Sequence, residues 1–208
     1  MSSLSERGTR TRRRLLDAAA EELIRTGEVE VAAVARRAGV SVGLPYRYFG
    51  TQSGLVSALL ARFYYGVDAQ VFRSFPGTTW AEREQARMAA LVRHLYADAM
   101  APVILGQLSR DVQAAEVEAR YMRLVIDRAA RNLAGARSRG EAACGGDLEL
   151  LAANLMGGLR SAIGLALNRT PRPDPAALTD HLWGFMRDIT HPVRVRRGPA
   201  HPGAADSS

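Results

Sequence analysis

The chain has 208 residues and a formal net charge of +7, and all 28 basic residues are arginine because the sequence contains no lysine. A hydrophobic content of 47% is enough to build a core, which excludes a globally disordered chain. The arginine excess favours an anionic partner. The lone cysteine, Cys144, excludes an internal disulfide, and its glycine-rich surroundings predict a solvated thiol. The N-terminus lacks an apolar signal segment, and we find no apolar run long enough to cross a bilayer, so we expect a cytoplasmic protein without a membrane partner.

Residues 10–25 predict the first helix. Its apolar residues share one face, and they are Leu15, Leu16, Ala19, Ala20, Leu23 and Ile24. Gly27 is placed to end this helix, because glycine tolerates the left-handed conformation of a helix C-cap. Such a helix offers an apolar surface on which shorter helices can pack.

A second, short helix is predicted by Val31, Val34 and Ala35, which fall at positions i, i+3 and i+4 and therefore share a face. Gly39 supplies the tight turn that follows. Ser41 is predicted to cap the next helix, because its hydroxyl can accept a free backbone N–H.

The third helix, residues 42–49, is too short to be stable alone and must be held by its neighbours. We expect Tyr46 and Phe49 to be the anchors and Gly50 to end the helix. Pro45 lies near the end of the first turn, so it should distort the helix without breaking it. Two short helices joined by a glycine turn are typical of a helix-turn-helix, which presents its second helix to the DNA major groove.

The rest of the chain is also predicted to be helical. Capping residues and apolar spacing place helices over residues 51–75, 79–100, 102–108, 112–135, 147–168 and 174–190. The last two helices are apolar on more than one face, so both sides need cover, from the monomer core or from a second subunit. Residues 191–208 are rich in proline, glycine and small residues, which predicts a disordered tail.

No pattern in the sequence predicts catalysis or a metal site. His94, His181, His191 and His201 lack metal-ligand spacing, and Gly157-Gly158 lies within a predicted helix and so cannot be a phosphate loop. Carboxylate pairs and nucleophile elbows are likewise not found. We therefore expect a non-enzymatic protein without a cofactor.

Several spaced motifs in the first 60 residues resemble the DNA-binding domain of the tetracycline-repressor (TetR) family. They are LLDAA in the first helix, V-x-x-V-A-x-x-A-G-V-S across the turn, Y-R-Y-F ending the third helix and G-x-x-x-x-L opening the fourth. The resemblance implies an all-α chain with a three-helix helix-turn-helix domain over residues 1–50. A helical effector-binding and dimerisation domain would follow over residues 51–190.

The sequence departs from the family pattern at three positions. Val42 and Gln52 stand where the family often has lysines that touch phosphate, and Pro45 replaces a leucine of the recognition helix. Phosphate contacts must then come largely from arginines. We predict DNA contacts from Arg10, Arg12, Arg13, Arg14, Arg36, Ser41, Val42, Gly43, Leu44, Arg47, Tyr48 and Gln52.

Within this predicted set, Val42, Gly43, Leu44 and Arg47 are expected to face the bases, and Tyr48 to offer its hydroxyl to a phosphate. The arginines at positions 10–14 form either a DNA-contacting arm or a solubilising tail. A symmetric pair of recognition helices implies a near-palindromic operator in double-stranded DNA.

A ligand site is expected between helices of the second domain, with ordinary core packing as the alternative for each residue. The predicted lining is Met88, Leu91, His94, Leu95, Tyr121, Met122, Val125, Asn154 and Met156. His94 and Asn154 would be the polar groups of an otherwise apolar pocket, so the expected effector is largely apolar.

The resemblance further implies a homodimer in which the last two helices of each subunit form a four-helix bundle. The expected interface residues are Asn154, Gly157, Gly158, Ser161, Leu165, Trp183 and Met186, and a monomer with buried helices is the alternative. The implied function is a repressor relieved by a small molecule. An activator, a ligand-independent regulator or a helical protein adaptor are the alternatives.

Overall fold

The computed structural model describes residues 5–106 and 112–191, and every regular element within these ranges is an α-helix. In chain order the helices are α1 Glu6–Thr26, α2 Val31–Arg37, α3 Gly43–Phe49, α4 Gln52–Val71, α5 Trp80–Ala97, α6 Ala101–Gly106, α7 Val112–Ser138, α8 Leu148–Leu167 and α9 Pro175–Thr190. The predicted all-α class is confirmed. Residues 192–208 of the predicted tail, and the end of the predicted helix 102–108, lie outside the described residues.

The helix starts follow the capping residues of the sequence. Thr79 and Glu82 form the expected capping box at α5, with the Thr79 hydroxyl accepting from the Glu82 N–H at 3.2 Å. Asp147 and Asp174 accept the first N–H groups of α8 and α9 through their carboxylates. These local hydrogen bonds satisfy donors that have no partner inside the helix, which is why the predicted starts are close to the observed ones.

The cap predicted at Ser41 is wrong, since no side-chain hydrogen bond caps α3. The Ser41 carbonyl accepts the Leu44 N–H at 3.0 Å, and Val42 already has helical φ and ψ angles. A backbone carbonyl thus replaces the hydroxyl in this tight turn. The preceding turn is as predicted, with Gly39 at a φ of 62°.

The inward face of α3 is also different from the expected one. Pro45 is almost fully buried, whereas Tyr46 is 47% exposed, so Tyr46 is not an anchor. Successive helical residues point about 100° apart, and the inward position is taken by Pro45. Tyr48 and Phe49 are half-buried and pack against the core. The helix continues through Pro45 as predicted, because a proline in the first turn removes no intrahelical donor.

Helix α4 connects the two halves of the molecule. Its N-terminal part packs against α1 and α3, and its remainder packs against α5 and α7. Further along the chain, α8 packs against α6, α7 and α9, and α9 packs on α5. The buried residues Leu55 and Leu59 of α4 belong to the same hydrophobic core as Leu15 of α1 and Leu155 of α8.

Two expectations about solvent and membrane need correction. Cys144 is buried, because the Ala143 N–H donates to the Thr190 carbonyl at 2.9 Å and holds this loop against the end of α9. By length and composition alone α8 is apolar enough to cross a membrane, although no such run was expected. Its inward face, with Leu159 and Ile163, is nevertheless buried in the core.

Candidate DNA-binding surface and ligand cavity

The start of the recognition helix α3 is open to solvent. Ser41, Val42, Gly43 and Arg47 are all exposed, and Val42 keeps 51% of its surface accessible. Leu44 is half-buried, so only part of its side chain is free to reach a base. Val42 is suited to apolar contact with a thymine methyl, and Arg47 is suited to donate to a phosphate or to guanine.

Exposed arginines flank this helix. Arg10, Arg13, Arg14 and Arg36 are exposed, as predicted for residues that contact phosphate. Arg12 is half-buried, and its guanidinium lies 5.4 Å from the centroid of the Phe49 ring. This cation–π contact places the N-terminal half of α1 beside the end of α3.

Gln52 is exposed, but its amide nitrogen donates to the Val29 carbonyl at 2.8 Å. That donor ties the start of α4 to the loop before α2, which makes Gln52 a positioning residue in this structure. Tyr48, predicted to offer its hydroxyl to a phosphate, packs against the core with its ring centroid 6.3 Å from that of Phe49. The exposed tyrosine of α3 is Tyr46, which the sequence analysis had placed in the core. Pro45 was the residue that could have indicated this, because its apolar ring takes the inward position.

An ion-pair cluster fixes α1 against α2. The Glu22 side chain is only 3% exposed and accepts from Arg25 at 2.6 Å and from Arg37 at 3.3 Å. Burial acts to raise the pKa of Glu22, but the hydrogen bonds and charges of both arginines outweigh it and leave the pKa lowered. Arg37 also pairs with Glu21 at 3.1 Å, so its charge is balanced by two glutamates of α1.

A cavity of about 350 Å³ lies among α4, α5, α7 and α8. This volume falls within the range of small-molecule sites. Its apolar lining comprises Phe63, Tyr64, Val67, Val71, Phe72, Met88, Leu91, Leu95, Leu105, Tyr121, Met122, Val125, Ala129, Met156, Leu159, Ile163 and Met186.

Seven of the predicted ligand residues line this cavity: Met88, Leu91, Leu95, Tyr121, Met122, Val125 and Met156. The two predicted polar groups, His94 and Asn154, do not. His94 lies against Gly66 of α4, and its Nε2 atom is buried without a hydrogen-bond partner. Asn154 is exposed on the outer side of α8. Both residues were predicted as the polar groups of an apolar pocket; His94 instead packs against α4 beside the cavity, and Asn154 faces outward.

The polar groups of the cavity are charged side chains and one amide, Asn132, and the sequence analysis predicted none of them. Glu84 of α5 is buried and accepts from Asn132 of α7 at 3.0 Å and from Arg87 at 3.3 Å. Burial raises the pKa of Glu84, and the Arg87 charge and the Asn132 hydrogen bond oppose this shift only in part. Arg128 and Asn132 follow the cavity residue Val125 at positions i+3 and i+7. This spacing puts them on the same face of α7 and could have predicted that they line the cavity.

A second polar group lies where α4, α7 and α8 meet. The Tyr64 hydroxyl donates to Glu118 at 2.9 Å, and Arg160 donates to the same carboxylate at 2.8 Å. The rings of Tyr64 and Tyr121 stack with centroids 4.0 Å apart. Burial, together with nearby carboxylates, raises the pKa of both hydroxyls, so both tyrosines stay neutral. The bonds fix the tyrosine rings in the cavity wall.

The outer surface of α8 carries a stripe of residues that we call the α8 stripe: Leu150, Asn154, Gly157, Ser161 and Leu165. Leu150 is 65% exposed and Leu165 is 59% exposed, which is unusual for leucine in a packed helix. A Cβ added at Gly157 would meet no atom within 4 Å, so this glycine opens onto solvent. The stripe is an unpartnered apolar surface with a small residue at its centre.

The other predicted interface residues face inward. A Cβ at Gly158 would lie 3.1 Å from the Phe185 ring of the same chain. Trp183 is half-buried with its ring centroid 6.4 Å from that of Trp80, and Met186 is buried in the cavity wall. These three residues are therefore corrected to intrachain packing, because neighbouring positions on one helix point to different elements. Phe185, which is 39% exposed, is the outward aromatic residue of α9.

Within the described ranges, no group of three or more His, Cys, Asp and Glu side chains is placed to hold a metal ion. A helix-turn-helix with an exposed, arginine-flanked recognition helix, joined through α4 to a helical unit containing a cavity, defines a DNA-binding regulator.

Comparisons with known proteins give a family match to the N-terminal helices. Residues 15–59 match the family described as bacterial regulatory proteins, tetR family. The match covers most of α1, all of α2 and α3 and the start of α4, so this helix-turn-helix unit is similar to that family of regulatory proteins. A search of curated protein sequences gave no match.

Solved structures share the fold over nearly the whole chain. The fatty acid degradation regulator FadR from Bacillus halodurans is 18% identical, with 93% of this chain and 99% of that chain covered and a TM-score of 0.69. NalD from Pseudomonas aeruginosa, the secondary repressor of a multidrug efflux pump, is 16% identical, with coverage of 90% and 99% and a TM-score of 0.71. FadR from Bacillus subtilis in complex with stearoyl-CoA is 18% identical, with coverage of 86% and 98% and a TM-score of 0.65.

Proposed function

We propose that the protein is a homodimeric repressor that releases a near-palindromic operator when a small, largely apolar molecule fills the cavity. The observation that carries this proposal is the double use of α4. Leu55 and Leu59 pack in the core beside α1, while Phe63, Tyr64 and Val67 line the cavity on the same continuous helix. A ligand that displaces the cavity segment must therefore move the segment that supports α3.

DNA binding would rest mainly on phosphate contacts from the exposed arginines beside α3. These contacts set affinity and orientation and carry little sequence information. The recognition helix contains neither Asn nor Gln, so direct base readout would be sparse. Val42 and Leu44 are suited to thymine methyls, Arg47 to guanine or phosphate, and DNA shape would supply the rest of the specificity.

Dimerisation through the α8 stripe and Phe185 would cover the exposed leucines and set two recognition helices at a fixed distance. Half-sites one helical turn apart require a separation of about 34–36 Å between the two helices. A rotation of α4 in each subunit changes this separation. Coupling of about 1–3 kcal/mol between the two sites corresponds to a loss of roughly 5- to 150-fold in operator affinity.

Salt dependence tests the DNA-binding part of the proposal. We expect the logarithm of the association constant for an inverted-repeat duplex to fall linearly and steeply with the logarithm of salt concentration. Absence of salt-dependent binding to any duplex would instead support an adaptor that binds protein through its helices.

Ligand relief is tested by a two-step titration. Compounds that raise the melting temperature are first selected, and those that no longer act on the cavity-filling variant Val125→Trp are kept as cavity ligands. Each is then titrated into the complex with operator DNA. We expect cavity ligands to release the operator; tight cavity binding that leaves operator affinity unchanged for every such ligand contradicts the proposal.

A further inference from the structure

The cavity is apolar over most of its wall but has an arginine-rich end, which we define by Glu84 and Arg87 of α5 and Arg128, Arg131 and Asn132 of α7. All five residues line the cavity, and the hydrogen bond from Asn132 to Glu84 joins the two helices there. Three arginines stand against two acids, Glu84 and the Asp68 that pairs with Arg128 at 3.9 Å, so this end has one positive charge in excess. The excess raises the question of which ligand would neutralise it.

Glu84, the acid that lines the cavity at this end, is already engaged. The Glu84 Oε1 atom accepts from Asn132 at 3.0 Å and lies 3.1 Å from Arg87, and its Oε2 accepts from Arg87 at 3.3 Å. A cationic ligand would therefore find no free carboxylate among the residues that line this end and would meet three guanidinium groups. Both effects disfavour a cation in the cavity.

Donors, in contrast, remain available at the same end. The Nε atom of Arg87 is buried without a hydrogen-bond partner. Within the described residues, Arg131 makes no ion pair. Arg128 lies 3.9 Å from Asp68, too far for a hydrogen bond, and its guanidinium rests 3.9 Å from the centroid of the Phe72 ring. A buried donor without an acceptor is costly, and an anionic group on a ligand would supply that acceptor.

We propose that the effector is an amphiphilic acid: an apolar body that occupies the lining of α4, α5, α7 and α8, with one anionic group bound by Arg87 and Arg131. This inference rests on the proposed function, because it names the ligand class of the same cavity. It goes beyond that proposal by assigning charge, orientation and the two residues that read the charge.

Three probes of matched chain length test the charge preference: dodecanoate, 1-dodecanol and dodecylamine, each titrated calorimetrically into the full chain below its micelle concentration. We expect dodecanoate to bind about tenfold or more tightly than the alcohol, as charge-assisted hydrogen bonds require, and the amine to bind most weakly. Equal affinities for all three probes, or tightest binding of the amine, overturn the inference.

The variant Arg131→Gln tests whether Arg131 causes the preference for dodecanoate. It is suited to this test because Arg131 is exposed and its loss leaves no buried charge unpaired. The variant should lose about tenfold in dodecanoate affinity while its alcohol affinity stays unchanged. Arg123→Gln is the matched control, since Arg123 is an exposed arginine of α7 that does not line the cavity. An undiminished preference for dodecanoate in Arg131→Gln, or dodecanoate binding that persists in Val125→Trp, overturns the proposal.

The test of the ligand class can be separated from the test of the proposed function, because ligand binding is measured without DNA. An acid that binds through Arg131 and leaves the operator complex intact supports the ligand class and contradicts ligand relief. If the protein does not prefer the acid but a neutral cavity ligand releases the operator, ligand relief is supported and the ligand class is contradicted.

Discussion

Arg62 of α4 donates to the Asp17 carboxylate of α1 at 2.6 Å, and its second terminal nitrogen donates to the Leu16 carbonyl at 3.1 Å. The next two residues of the chain, Phe63 and Tyr64, line the cavity. One turn of α4 thus contacts both the DNA-binding unit and the ligand cavity. Any movement of this turn is transmitted to α1 through a charged, directional contact in addition to the apolar packing.

Replacing Arg62 with Gln should weaken communication between the two sites. We expect the coupling between Arg62 and Asp17, measured by a double-mutant cycle with Asp17→Asn in chemical unfolding, to be about 0.2–1 kcal/mol, because both side chains are partly exposed. Arg62→Gln should also reduce the ligand-induced loss of operator affinity severalfold, with ligand affinity retained. Arg93→Gln, at an exposed arginine of α5, is the control; strictly additive single effects would show that the ion pair carries no coupling.

Arg47→Ala and Tyr46→Phe test the corrected recognition surface. Both side chains are exposed on α3, so their loss should weaken operator binding without changing the melting temperature. Removing the arginine should cost about tenfold or more and lower the salt slope by about one if it contacts phosphate. Fluorescence anisotropy on a labelled operator measures both effects. Operator affinity equal to that of the wild type in both variants would remove these residues from the interface.

Gly157→Arg tests the proposed dimer interface. The position is open within the chain, so the arginine should fold without strain but should disrupt pairing of the α8 stripe. We expect a monomer by sedimentation velocity, an unchanged circular dichroism spectrum and a large loss of operator affinity. Gly145→Arg, at a loop glycine where an added Cβ also meets no atom within 4 Å, is the control. A dimer that persists in Gly157→Arg would place the interface elsewhere.

Glu84→Gln should change how stability depends on pH. Because burial raises the pKa of Glu84, folding favours its protonated form, and the stability it contributes is present below the ordinary value of 4.5 and is lost as pH rises through the raised pKa. The neutral glutamine has no such dependence and keeps an acceptor for Asn132.

The melting temperature of Glu84→Gln relative to the wild type should therefore increase as pH is raised above 4.5. Glu116→Gln, at an exposed position of α7, is the matched control for the loss of a surface carboxylate. A relative stability of Glu84→Gln that falls with rising pH would mean that the ionised carboxylate is stabilising, and would contradict the direction of the shift. Differential scanning calorimetry in a pH series gives both comparisons.

The recognition surface shows where sequence reasoning succeeded and where it failed. The turn at Gly39, the short α3 and the tolerance of Pro45 follow from local backbone preferences and were predicted. The assignment of Tyr46 and Tyr48 was reversed. Tyr46 and Tyr48 are two residues apart and point to nearly opposite sides of the helix, so which tyrosine faces inward depends on which side of α3 meets the core.

The cavity and the α8 stripe could be predicted only in part from the spacing of residues within one helix. Apolar spacing on α5 and α7 predicted most of the apolar residues of those helices that line the cavity, since a core face and a cavity face obey the same periodicity. It could not name Glu84, Arg87 or Arg131, because a charged residue beside an apolar stripe is solvated or enclosed according to the neighbouring helix. Gly157 and Gly158 are adjacent in the chain, yet one opens onto solvent and the other meets Phe185.

The sequence by itself determined the class of protein: helix boundaries, capping residues and the helix-turn-helix motif all arise from hydrogen bonds and conformational preferences within a few residues. Only the tertiary structure decided which side chains share a site. The pairing of Arg62 with Asp17, the joining of α5 to α7 by Glu84 and Asn132, and the outward face of α8 depend on how helices distant in the chain rotate and pack against one another. Those rotations are set by the whole core, and no short segment encodes them.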